Sequence, residues 1–225
     1  MTRFPARHEV PKFSVFASLL RMTTKYGFPH VRDQLVKDLR GAYPTKWEAY
    51  QAAEVLGEDV FGSPKPHPNV VLNLFLEQNI RFALPFAAYR ASLGGFSALS
   101  SDEPDTVLPR LTLTSIIHGK GEIRRLMTIV AHNIVYLMDL GVCAKGACVL
   151  NVGMNPTERR IAALKKLVNV LIYENEVETL SSPTLGTLIC MDCAKRLLTI
   201  YSGSRKKYVW TKLPSLLGWE SWEGV

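Results

Sequence analysis

No run of apolar residues in the sequence is long enough to cross a bilayer, which takes roughly 20. The most apolar stretch, Leu126 to Val142, is interrupted by His132, Asn133 and Asp139. Partnership with a membrane is therefore not expected, and a soluble chain is. A secretory leader is not expected either: Met1 to Phe13 has no apolar core, and Pro5 and Pro11 break it. The one near-match to a glycosylation acceptor is spoiled by Pro156, which lies between Asn155 and Thr157. Cysteine is scarce, with 4 residues in 225, too few for a disulfide framework in a chain this size. These absences together point to a reducing compartment, cytoplasm or nucleus, with thiols or metal ligands in place of disulfides.

Charged residues make up only 21% of the chain, while hydrophobic residues make up 47% and run from end to end. That balance excludes wholesale disorder and supplies a sizeable core. The length allows one domain or two small ones. A formal charge of +7 admits an acidic partner and favours solubility, but it does not select a fold. Neither an internal repeat of solenoid length nor a low-complexity tract is present.

Signatures of catalysis are lacking as well. Gly119-Lys120-Gly121 has no third glycine and no preceding strand, so backbone N–H groups would not converge on a phosphate there. It reads as a turn between two helices. Gly95-Phe96-Ser97-Ala98-Leu99 has Leu99 where a nucleophile elbow needs its second glycine. His8, His30, His67, His118 and His132 lack metalloprotease spacing, and His132 reads as a core or boundary residue. Glu174, Glu176 and Glu178 read as a solvated face. No nucleophile, base and oxyanion donor assemble, so no enzymatic activity is expected.

What the sequence does contain is helical spacing. Phe13, Phe16, Leu19 and Leu20 form one apolar stripe, and Val31, Leu35 and Leu39 form a second. Gly27-Phe28-Pro29 lies between them, with glycine ending one helix and proline opening the next. Thr45-Lys46-Trp47-Glu48 is a capping-box pattern that predicts a short helix to about Leu56. Further helices are predicted over Asn69–Ile80, Leu84–Ser92, Leu111–His118 and Glu122–Leu140. Asn155-Pro156-Thr157-Glu158 then opens a stripe running through Ile161, Leu164, Val168 and Ile172. Leu185–Tyr201 and Arg205–Leu217 complete the set. Strand signals are confined to Val149–Val152 and Thr187–Ile189. The expected fold is all-α. A helical hairpin within residues 1–60 precedes a helical body at 61–142 and a cysteine-containing helical unit at 143–225.

Several of these segments resemble a known family. Phe13-Ser14-Val15-Phe16-Ala17-Ser18-Leu19-Leu20-Arg21-Met22, Lys25-Tyr26, Val31-Arg32 and Leu35 look like the closing helices of a BTB/POZ domain. The likeness extends through Leu39 and Tyr43-Pro44-Thr45-Lys46-Trp47-Glu48, then Val71-Leu72-Asn73 and Leu84-Pro85-Phe86-Ala87-Ala88-Tyr89-Arg90. It ends with Cys190-Met191-Asp192-Cys193, Trp210, Leu213-Pro214 and Leu217-Gly218-Trp219. In this extended form the chain is similar to BTB proteins of mushroom-type fungi, which carry a long helical C-terminal region. The resemblance implies a non-catalytic protein-interaction adaptor or scaffold. The family's dimer surface and its cullin-class ligase role rest on a strand-and-helix half that precedes the part matched here, so the resemblance implies neither. Without that half, Phe13, Phe16 and Leu20 are expected to lie exposed and to bind a protein partner.

Two chemical features remain. Cys143-x4-Cys148 and Cys190-x2-Cys193 have spacings that allow one tetrahedral zinc, with Lys145 and Lys195 offsetting thiolate charge. Against this stands the behaviour of free cysteine as a small buried apolar residue, and the main expectation is no cofactor. Arg205, Lys206 and Lys207 with Trp210 offer phosphate neutralisation and base stacking, so the alternative function is a zinc-stabilised nucleic-acid-binding protein. The helical spacing of Trp210, Leu213 and Leu217 instead favours packing of a terminal helix. Nucleic acid is accordingly not the expected partner.

Overall fold

The computed structural model describes residues 12–56, 61, 65–94, 99, 103–139 and 190–222. Among these the secondary structure is entirely helical, as expected from the 3.6-residue spacing. The chain divides into two compact units. The first holds residues 1–120 and 213–225, the second residues 121–212. This division falls inside a helix rather than at the compositional boundaries near residues 60 and 142.

In the first unit, α1 (Phe13–Lys25) and α2 (Pro29–Ala42) form the expected hairpin. Gly27 sits at φ 68°, the left-handed conformation that glycine adopts without cost. The Phe28 N–H then reaches back to the Thr23 carbonyl at 2.9 Å, closing α1 with a Schellman motif. Pro29 opens α2 in its first turn. α3 (Trp47–Leu56) follows.

α4 (Pro68–Glu77) begins where His67 Nδ1 accepts from the Asn69 N–H at 3.2 Å. It ends in a second Schellman motif, with Asn79 at φ 53° and the Ile80 N–H bonded to the Phe75 carbonyl at 2.9 Å. A single 3-10 turn, Arg81–Ala83, leads into α5 (Leu84–Leu93), which packs against α4. Leu20, Leu39, Leu72, Leu74 and Phe75 are fully buried here, each contributing about 1.5–3 kcal/mol by leaving water. Two asparagines one turn apart on α4 tie down the segment that precedes the long helix. Asn69 Nδ2 donates to the Thr106 carbonyl at 3.0 Å, and Asn73 Nδ2 donates to those of Asp105 and Val107 at 3.1 and 2.9 Å.

α6 (Arg110–Asp139) is one continuous helix of 30 residues. Here the sequence reading is corrected: Gly119-Lys120-Gly121 does not stop a helix. A helical glycine costs about 1 kcal/mol relative to alanine, and at Gly119 close packing offsets it. A Cβ there would collide with the Leu216 carbonyl oxygen and meet Leu217 Cδ2 at 2.7 Å. Gly119 is therefore where α6 lets the C-terminal segment approach. That segment, α8 (Leu213–Leu216), is a single turn against α5 with Leu213 and Leu217 buried.

In the second unit, Ile123, Leu126, Met127, Val130, Ala131 and Ile134 are buried along one face of α6. α7 (Met191–Tyr208) buries Leu197, Tyr201 and Arg205 at four-residue intervals and ends in a 3-10 turn, Trp210–Lys212. This is a second correction, because a break was expected between Tyr201 and Arg205. The buried stripe spans Ser202-Gly203-Ser204, and packing on both sides outweighs their weak helix propensity. Val149–Val152, Thr187–Ile189, the stripe from Ile161 to Ile172 and Glu174, Glu176 and Glu178 lie outside the described residues.

Candidate functional site

α1 carries apolar side chains all the way round, and the two sides meet different surroundings. Phe16 is 4% exposed and Leu20 is fully buried, while Phe13 is half-buried. Phe61 covers this stripe, its ring lying 4.9 Å from that of Phe13 and 5.3 Å from that of Phe16. The expectation that Phe13, Phe16 and Leu20 form an exposed partner surface is therefore corrected. A residue downstream of the hairpin supplies the missing cover, which helical spacing cannot reveal.

The exposed side is the other one. Val15, Met22 and Tyr26 stand 51%, 54% and 58% exposed, and at 100° per residue they fall within one narrow sector of α1. Phe28 at 57%, in the turn, and Val31 at 37%, on α2, are exposed as well. The charge on the hairpin is mostly positive: between residues 13 and 42 lie Arg21, Lys25, Arg32, Lys37 and Arg40 against Asp33 and Asp38, with Arg21 taken up by Glu77. Lys25 Nζ lies 5.4 Å from the centre of the Tyr26 ring.

Polar fastenings hold this hairpin to the end of α4. Arg21 grips Glu77 with two nitrogens, Nε at 3.0 Å and Nη2 at 2.8 Å. That hydrogen bond holds the Glu77 carboxyl below the ordinary carboxylate range and raises the Arg21 guanidinium. Thr24 Oγ1 donates to Gln78 Oε1 at 2.7 Å, and Arg32 Nη2 donates to the Gln78 carbonyl at 3.0 Å. The fastening groups lie at the C-terminus of α4, where cations meet the negative end of the helix dipole. These contacts position the exposed patch on a fixed support.

The other residues singled out from the sequence are placed as follows. Cys143 and Cys148 lie outside the described residues. Cys190 is the N-cap of α7 and Cys193 lies in its first turn, both half-buried. Among the described residues, no group of three or more His, Cys, Asp and Glu is gathered closely enough to hold a metal ion. Arg205 and Trp210 are buried, 4% and 5% exposed, whereas Lys206 and Lys207 are exposed. The nucleic-acid surface built on Arg205 and Trp210 is thus corrected: the guanidinium lies 6.0 Å from the Tyr201 ring centre, and the indole is enclosed. Neither is presented to a phosphate or a base. His132 is exposed on α6, with Nδ1 2.8 Å from the Thr128 carbonyl of its own helix, so it is not a core histidine.

Among the described residues, no helix is long and apolar enough to cross a membrane. No protein-family model, curated protein or solved structure matches the chain.

Proposed function

We propose that this chain is a non-catalytic protein-interaction adaptor or scaffold of the cytoplasm or nucleus, of the helical kind found in fungal BTB proteins. Its partner is held on the outer face of the α1–α2 hairpin. The observation that carries the reading is the patch of Val15, Met22, Tyr26, Phe28 and Val31, five large apolar side chains exposed together on one hairpin. Single exposed apolar residues are ordinary, whereas several on one short hairpin favour an interaction surface. Tyr and Met are also among the residues enriched in such surfaces.

The excess of cations around the patch selects the partner's chemistry. A helix with an apolar stripe flanked by acidic side chains would bury the stripe against Met22, Tyr26 and Phe28 and place its carboxylates near Lys25 and Arg32. The test uses synthetic amphipathic peptides with glutamate flanking a Leu/Phe stripe, followed by fluorescence anisotropy. Saturable binding is expected for acid-flanked peptides and not for lysine-flanked ones. Met22→Glu and Tyr26→Glu should each weaken it by roughly tenfold or more, with circular dichroism unchanged. Binding that ignores both substitutions would place the surface elsewhere, and absence of binding to every peptide would sink the reading.

A further inference from the structure

The aromatic residue that ends α2 has an arrangement which packing alone does not explain. Tyr43 is 4% exposed, its ring wedged edge-on against Phe75 at 4.8 Å and Phe86 at 5.8 Å. Among the described residues its hydroxyl makes no hydrogen bond with protein. A buried hydroxyl without a partner is costly, so native structures almost always satisfy one. This hydroxyl belongs to a residue lining a pocket of about 40 Å³, room for a water or two or for one oxyanion head group. Lys65 and Arg90 also line it, and Phe61, Pro66 and Val71 supply apolar wall.

Arg90 strengthens the case. From Leu84 to Ser92 every residue of α5 is buried except Arg90, which is exposed. Its charge acts on the Tyr43 phenol, so the guanidinium and the hydroxyl share one neighbourhood. Burial is the larger influence and pushes the phenol well above its ordinary value. Tyr43 is consequently a neutral O–H donor at physiological pH, the form that an anionic acceptor requires.

We infer that Tyr43 and Arg90 form a binding site for the head group of a small oxyanion, a phosphate or a carboxylate. The hydroxyl donates one hydrogen bond, Arg90 supplies charge, and Phe61 and Val71 wall in the head group. This site is separate from the hairpin patch, and its failure would leave the adaptor reading untouched.

The test is calorimetric titration of the full chain with inorganic phosphate, phenyl phosphate and benzoate at constant ionic strength, with chloride as the control. Saturable binding of at least one of these oxyanions is expected, clearly above that of chloride. Phosphate-bearing probes alone would assign a phosphate ligand, and benzoate alone a carboxylate. Tyr43→Phe, which removes only the oxygen, should weaken binding by about tenfold, and Arg90→Gln by about as much or more. Without ligand, Tyr43→Phe should melt no lower than the wild type, since among the described residues its hydroxyl makes no hydrogen bond with protein. Binding no better than chloride, binding that survives both substitutions, or a clear drop in melting temperature for Tyr43→Phe would each overturn the site.

Discussion

α2 and α5 belong to the same unit and both open with a proline in the first turn, yet they live in opposite environments. α2 buries one residue of its 14, Leu39. α5 buries eight of its 10 and turns out Arg90. The difference lies in what covers each helix. α4 covers one side of α5 and α8 touches it as well, and the small buried residues Ala87, Ala88 and Ala91 suit close approach of the backbones. α2 has α1 as its principal neighbour and leaves the rest of its surface for solvent or for a partner. Stability is concentrated in the first kind of helix and recognition in the second, and the contrast can be tested by substitution.

The largest effect is expected where cover is complete. Phe86 touches the rings of Tyr43, Tyr50 and Tyr89 at 5.8, 5.7 and 6.3 Å. Phe86→Ala should cost about 3–5 kcal/mol in denaturant unfolding, the usual range for a large aromatic removed from a core. Val31→Ala on α2 should stay within about 0.5 kcal/mol. A comparable loss at both positions would mean that something outside the described residues covers the hairpin in the free protein.

A middle-sized effect separates cover from helix propensity within α6. A Cβ at Gly119 would strike Leu216 and Leu217, whereas at Gly121 there is nothing within 4 Å. Gly119→Ala should lower stability by about 1–3 kcal/mol through overpacking, despite its better propensity. Gly121→Ala should raise it by about 0.5–1 kcal/mol. Equal gains at both, read from thermal melts, would show that the C-terminal turn does not press on α6.

These cases also mark what was legible from sequence. The existence and type of the helices from Phe13 to Leu93 followed from apolar spacing and from Gly27-Phe28-Pro29, because those signals are local. Continuity through Gly119-Lys120-Gly121 was not legible, since the partner that favours glycine there is Leu216, nearly a hundred residues away. The same reason explains the hairpin. Its apolar residues could be recognised, but the exposed side could not be told from the buried one until Phe61 was seen to cover Phe13 and Phe16. The basic and aromatic segment from Arg205 to Trp210 failed similarly: its composition suits a nucleic-acid surface, and burial withdraws two of its members. Tyr43 and Arg90 are far apart in sequence, and no local signal sets them side by side. An unsatisfied hydroxyl beside a cation is a property of packing, visible only in three dimensions.

The smallest effect concerns the fastening between hairpin and α4, and its pH dependence has a definite sign. Arg21 and Glu77 are about half exposed, 53% and 47%, so their pairing is worth only about 0.2–1 kcal/mol and should weaken with salt. The Glu77 carboxyl titrates below its ordinary value in the folded chain because Arg21 donates to it. A carboxylate lowered in this way stabilises the fold above its unfolded value, and the contribution disappears as pH falls through the folded one. Arg21→Gln should therefore be slightly less stable than the wild type near neutral pH, and the gap should close on acidification below the ordinary carboxylate range. If the gap persists in acid, the Arg21 side chain stabilises by packing its stem rather than by its charge. The hairpin would then be held to α4 chiefly by Thr24, Arg32 and Gln78, a fastening without charge pairing and hence insensitive to acid.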